Sequence, residues 1–191
     1  MRTAVRLNKG DMRIIKENTI GLVIDIQEKL FHVMAEKDEF LKNCSVLVRG
    51  LQVLNIPLLV TQQYTKGLGG TVPEIRYLIP EFEFIEKRAF SCCDEPVFVE
   101  KASIAKRTNI IICGIESHVC VLQTAVDLKD AGYVPVVVTD CISSRNLKDK
   151  EMAIGRFRYE GIMMATCESI LFELTRTSEA PEFRGISKLV K

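Results

Sequence analysis

Short apolar runs rich in β-branched residues recur along this chain, separated by stretches with helical spacing, and that alternation constrains the fold more than any other feature. Residues 19–25 (TIGLVID), 56–60, 82–85, 109–115, 134–140 and 162–166 read as strands. The first of them does not alternate apolar with polar residues, as suits a buried parallel strand covered on both faces. Helical spacing fills 31–54, with Phe40, Leu41, Cys44, Leu47, Val48 and Leu51 on one stripe. Further helices are predicted over 119–131, 148–160, 168–174 and 181–190, and Gly132 is placed to stop the first of these four. A strand–helix repeat of this kind predicts one α/β domain over residues 1–191. It has three layers (α/β/α), with six parallel strands in a Rossmann-like winding.

Parallel strands joined by right-handed crossovers all end on one edge of the sheet. Asp25, Thr61, the Lys87 region, Gly114 and Asp140 are therefore expected to gather there, although they are far apart in the chain. The segment TQQYTKGLGGT, residues 61–71, reads as a binding loop at that edge. Pro57 suits the start of the strand before it.

Cys120 follows a strand and a tight turn in GIESHVCV, at the start of a helix. A thiol there feels the positive end of the helix dipole, which favours thiolate, and the unsatisfied N–H groups nearby can hold an oxyanion. The same position equally suits an inert buried cysteine. Asp25, closing an apolar strand, is either a general base or a cap, and Lys87 is either an electrostatic partner or a solvated lysine. Expecting all three at one edge favours the chemical reading of each.

Other arrangements fit the sequence less well. The only histidines are His32 and His118, too few for a three-histidine metal site, so no catalytic metal and no cofactor are expected. His118 lies two residues from Cys120, where side chains diverge, and is expected at a pocket wall or an interface rather than in a dyad. Gly67, Gly69 and Gly70 do not form a dinucleotide fingerprint. Cys141 and Arg145 are too close for a phosphatase loop, and Arg156 and Arg158 read as a solvated face. Cys92 and Cys93 are expected near the site, and a redox pairing of either with Cys120 is a third reading.

The segments LVIDIQEKL, EKRAFS, IIICGIESHVCVLQTAVDLKDAGY and VVVTDCISS together resemble the isochorismatase-like cysteine hydrolases. The loop TQQYTKGLGGTVPEI and the tail APEFRGISKLVK are similar to the metal-free, isochorismatase-domain-containing subgroup. The resemblance runs from about residue 19 to the C-terminal helix. It implies a catalytic trio of Asp25, Lys87 and Cys120, and a cis peptide bond before Glu116. It also implies an oxyanion hole from the N–H groups of Glu116 and Cys120, and oligomer formation.

The expected activity is hydrolysis of a small amide, ureido or related substrate through a thioester at Cys120. The alternative is an interaction or assembly module that retains the fold without catalysis. Selectivity is expected from Gln27, Phe31, Gln62, Phe90, Ser91 and Ser117. A formal net charge of +1 gives no overall basic field to hold a nucleic-acid backbone and leaves only local patches to bind phosphate, so a small-molecule substrate and no nucleic-acid partner are expected. No apolar run is long enough to span a membrane, and the opening MRTAVRLNKGDMRIIKEN lacks the apolar centre of a signal peptide. Seven cysteines without framework spacing suit reduced thiols, so a cytoplasmic location is expected, and the resemblance implies a homo-oligomer. The apolar tail residues Phe183, Ile186, Leu189 and Val190 suit either a neighbouring subunit or the chain's own core.

Overall fold

A computed structural model describes residues 13–191. The first part of the expected 1–191 domain, including most of the leading charged segment, lies outside the described residues. Six strands form one sheet: β1 (Thr19–Ile24), β2 (Leu58–Gln63), β3 (Ile85–Lys87), β4 (Asn109–Ile115), β5 (Val134–Ser143) and β6 (Met163–Ala165). Every pairing is parallel and the order is β3-β2-β1-β4-β5-β6.

The main helices are α1 (Lys37–Val53), α2 (Pro96–Ile104), α3 (Leu122–Asp130), α4 (Leu147–Tyr159), α5 (Cys167–Thr175) and α6 (Phe183–Leu189). The strands divide their apolar side chains between two cores, as period-two geometry requires. Val23, Val60, Ile111, Cys113, Val136 and Val138 pack with α1, α5 and α6. Ile20, Leu22, Ile24, Ile110, Ile112 and Val137 pack with α2, α3 and α4. The result is the expected three-layer α/β/α domain. Ile186 of the tail is fully buried in the first core, so the tail packs on its own chain. Among the described residues no helix is long and apolar enough to cross a membrane.

Three local readings need correction. Residues 82–85 were expected as the third strand, but β3 is Ile85–Lys87, so Lys87 ends the strand rather than following it. Thr61, Gln62 and Gln63 belong to β2 rather than to the loop. β5 runs on to Ser143, which takes Asp140 out of the sheet's terminal edge. Its carboxylate Oδ1 instead accepts the Cys167 N–H (2.8 Å) at the start of α5, one of the free donors of a helix N-terminus. Helix α2 had no counterpart in the sequence reading. Its periodicity is blurred because Val97, Val99 and Ile104 face solvent while Phe98 and Ala102 are buried.

Candidate active site

The strand order reverses direction between β1 and β4, and at such a switch point the carboxyl ends of the strands leave a crevice. Asp25 follows β1 with φ at 52°, a left-handed conformation that Asp tolerates better than most residues. Its carbonyl accepts the Gln27 N–H (2.7 Å), which closes the turn. Gly114 of β4 pairs with Ile24, has φ at 144°, and leaves no room for a Cβ against the Ile24 carbonyl. A glycine is therefore required where the chain leading to Cys120 crosses the end of β1.

Lys87 reaches the same place from the end of β3. Its ammonium lies 2.7 Å from Asp25 Oδ2 and 3.5 Å from Cys120 Sγ. It also donates to Gln63 Oε1 (2.6 Å) and to the carbonyls of Ala89 (3.1 Å) and Phe90 (3.0 Å). The other Asp25 oxygen accepts the Thr61 hydroxyl (2.8 Å). Asp25, Lys87 and Cys120 are 0%, 1% and 7% exposed, so an acid, a base and a thiol meet in a nearly dry place.

Cys120 sits in one π-helical turn, Ser117–Val121, ahead of α3. Such turns are frequent at functional sites. The Glu116 carbonyl accepts from the N–H groups of Val119 (3.2 Å) and Val121 (3.1 Å). Among the described backbone bonds it does not accept from Cys120, whose N–H an α-helix would have directed there. The peptide bond between Ile115 and Glu116 is cis, as the family resemblance implied.

Burial dominates the electrostatics. Loss of water pushes the Asp25 carboxyl above its ordinary range, against the opposing pull of Lys87. Burial alone would lower the Lys87 ammonium, but the charge of Asp25, with a smaller contribution from the Cys120 sulfur, outweighs it, so Lys87 stays charged. The Cys120 thiol is pushed up to about 12, first by burial and then by Asp25, with Lys87 pulling the other way. Helix-dipole reasoning pointed to a thiolate at rest. The structure gives a protonated thiol beside a carboxylate, because burial outweighs the end of a single helical turn.

The remaining expected residues fall into separate places. Gln27 is fully buried, and its amide bonds the Gln63 N–H (2.7 Å), the Gln63 carbonyl (3.0 Å) and the Gly69 carbonyl (2.7 Å). It ties β2 to the glycine-containing loop. Gln62 is also buried, with its amide on Thr71 Oγ1 (3.0 Å) and Thr65 Oγ1 (3.0 Å). Phe31 belongs to the core on the α1 face. Ser91 is buried and its hydroxyl accepts the Cys93 N–H (3.2 Å). Phe90 is 54% exposed.

The Glu116 carboxylate is held by Arg145 Nε (2.6 Å), and His118 Nδ1 contacts Ser144 Oγ (3.0 Å). Ser117 is fully buried beside this turn, and its hydroxyl has no hydrogen-bond partner among the described residues. Cys92 stands close to the trio, 4.0 Å from Thr61 Oγ1, and all seven cysteines are free. Gln63 went unnoticed in the sequence. It sits beside Gln62, and only the side-chain alternation of a strand of known register shows which of the two meets Lys87.

A model of the isochorismatase domain matches residues 19–169. A secreted isochorismatase effector, Isc1, from Phytophthora sojae is 35% identical, covering 94% of this chain and 87% of its own. Isochorismatase domain-containing protein 2 of Danio rerio is 34% identical, covering 95% of this chain and 91% of its own. Among solved structures, the MAR1 ribonuclease of Caenorhabditis elegans superposes with a TM-score of 0.88 at 35% identity, covering 93% of this chain and 92% of its own.

That last similarity corrects the expectation of no nucleic-acid partner. The expectation rested on a net charge of +1, which averages the whole surface, whereas a local cluster of cations suffices for contact. The matched residues take in the acid, the lysine and the cysteine-bearing turn in the order described, and this chain belongs to the isochorismatase family of hydrolase-type enzymes.

Proposed function

We propose that the protein hydrolyses a small amide, ureido or related substrate through a covalent thioester at Cys120. The observation that carries this reading is the Lys87 ammonium set between Asp25 Oδ2 (2.7 Å) and Cys120 Sγ (3.5 Å) in a nearly dry place. Asp25 accepts the Cys120 proton, a transfer helped by the raised basicity of a buried carboxylate. Lys87 balances whichever of the two groups carries the negative charge. The thiolate attacks the carbonyl carbon, and the N–H groups of Glu116 and Cys120 hold the oxyanion. Collapse expels the amine, which takes its proton from Asp25. Water, deprotonated by Asp25, then attacks the thioester; the acid is released, and the expelled Cys120 thiolate takes the proton back from Asp25.

The test is turnover of a panel of small amides and ureides by Cys120→Ala and Cys120→Ser. Loss of at least about a thousandfold is expected for removal of a covalent nucleophile, and unchanged turnover would rule the mechanism out. The cytoplasm is our proposed compartment, supported by seven free thiols, although the Phytophthora relative is described as secreted. A second reading, nucleic acid as a partner or substrate, is favoured by the 35% identical ribonuclease structure.

A further inference from the structure

The segment after Lys87 is fixed from below and open above. Gln63 Nε2 donates to the Arg88 carbonyl (2.7 Å), and Lys87 donates to the carbonyls of Ala89 (3.1 Å) and Phe90 (3.0 Å). The Glu95 carboxylate accepts the N–H groups of Arg88 (2.7 Å) and Ala89 (3.0 Å). With its backbone held this way, the segment leaves Arg88 and Phe90 exposed. The Phe90 ring is 54% exposed and free to meet a planar partner beside the Arg88 side chain.

The Arg88 guanidinium stacks 4.2 Å over the ring of Tyr64. Tyr64 is fixed in turn. Its N–H donates to the Lys87 carbonyl (3.0 Å), and its ring lies over Gly67, where the missing Cβ leaves room for it. Two further cations flank this stack. Lys66 is exposed in the same loop, and Lys29 donates to the Gly67 carbonyl (2.8 Å). Among the described residues, no carboxylate lies within ion-pairing distance of Arg88, Lys66 or Lys29. The nearby Glu95 carboxylate is engaged by backbone N–H groups.

Unpaired cations around a rigid arginine–aromatic stack are the combination that holds a single strand of nucleic acid. The cations follow the phosphates and the planar faces take the bases. We propose that Tyr64, Arg88 and Phe90, with Lys29 and Lys66, form a docking rim for single-stranded nucleic acid beside the trio. The proposal rests on the second reading above, that nucleic acid is a partner, and names the surface and the strand state. A duplex keeps its bases stacked on each other and offers this rim only phosphates.

Fluorescence anisotropy of the full chain with a labelled 12-nucleotide single strand, as RNA and as DNA of one sequence, tests it. The matched duplex serves as a third arm. Single strands should bind more tightly than the duplex, and the preference between RNA and DNA identifies the source of the strand. Arg88→Ala and Tyr64→Leu should each weaken binding about tenfold. Lys66→Ala should flatten the salt dependence by about 0.7 in log–log slope. Arg88→Lys, which keeps the charge and loses the planar face, should still weaken binding, while Lys188→Ala in α6 should not. Circular dichroism confirms that each variant is folded. Binding that survives Arg88→Ala and Tyr64→Leu together would overturn the rim alone. No binding by the unaltered chain at low salt would overturn the nucleic-acid reading and the rim with it, leaving the thioester chemistry untouched.

Discussion

Two groups of buried thiols lie on opposite faces of the sheet. On the α1 face, Cys44, Cys113, Cys141 and Cys167 pack into the apolar core, and on the α3 face Cys92 and Cys120 do the same. Burial pushes Cys44 and Cys141 well above an ordinary thiol, and pushes Cys92 and Cys120 up to about 12. The two groups differ in their neighbours. Cys44 Sγ faces the Cys141 carbonyl (3.4 Å) and Cys167 Sγ faces the Asn43 carbonyl (3.6 Å), acceptors that hold a thiol in its protonated form. Cys120 faces an ammonium at 3.5 Å and shares a carboxylate with it. In the proposed mechanism the ion pair is what sets the Cys120 thiol apart from the small apolar thiols of the other face.

The largest effect that separates the two regions is removal of the cation. Lys87→Ala leaves Asp25 fully buried without its partner, and urea unfolding should show a loss of about 3–5 kcal/mol. Cys141→Ala removes only packing atoms and should cost about 1–2 kcal/mol. The paired change Asp25→Asn with Lys87→Met removes both charges and should recover most of the lost stability, yet remain inactive. A double variant that keeps turnover would break the comparison.

Alkaline pH sharpens it next. An unfolded thiol titrates near its ordinary value of 9, whereas Cys92 and Cys120 titrate near 12 in the folded chain. Above pH 9 the unfolded state therefore holds fewer protons than the folded one, and stability must fall as pH rises toward 12. The slope is about 1.4 kcal/mol per pH unit for each such thiol. Melting curves of Cys92→Ala should show a shallower decline than those of the unaltered chain. An equal decline would mean that Cys92 is not held protonated.

The smallest effect concerns Ser117. Its buried hydroxyl has no partner among the described residues, so Ser117→Ala should change stability by no more than about 1 kcal/mol, and in either direction. A substrate group that bonds this hydroxyl would make the same variant raise KM. Chemical denaturation and substrate kinetics separate the two roles, and a large loss of stability would show that the hydroxyl already has a partner.

Much of this was legible in the chain because parallel strands announce themselves. The runs IGLVI and IIICGI are apolar throughout; Asp25 directly follows the first, and Cys120 comes one tight turn after the second. Lys87 is legible even though its strand begins a few residues later than the apolar pattern suggests, since the site depends on where a strand ends rather than where it begins. Asp140 was misplaced for the converse reason. β5 bends past a register shift against β4 and runs on to Ser143, which no apolar pattern signals. Gln27 and Gln62 looked like substrate contacts because polar residues near a site usually are. Burial turned both into braces for the neighbouring loops, and that depends on three-dimensional packing. The protonation of Cys120 depends on the same packing, since the helix dipole can be read from sequence and the degree of burial cannot.

The most direct measurement is the alkylation rate of every cysteine with a small amide-bearing electrophile such as acrylamide, mapped by mass spectrometry at pH 8. It would be made on the unaltered chain, on Lys87→Met and on Asp25→Asn. The account predicts that Cys120 reacts well ahead of the equally buried Cys44, Cys141 and Cys167. Its rate should fall at least about tenfold in both variants, while the half-buried Cys93 keeps its own rate throughout. Cys120 reacting no faster than the thiols on the other face, or keeping its rate without Lys87, would contradict the claim that the ion pair makes it the nucleophile.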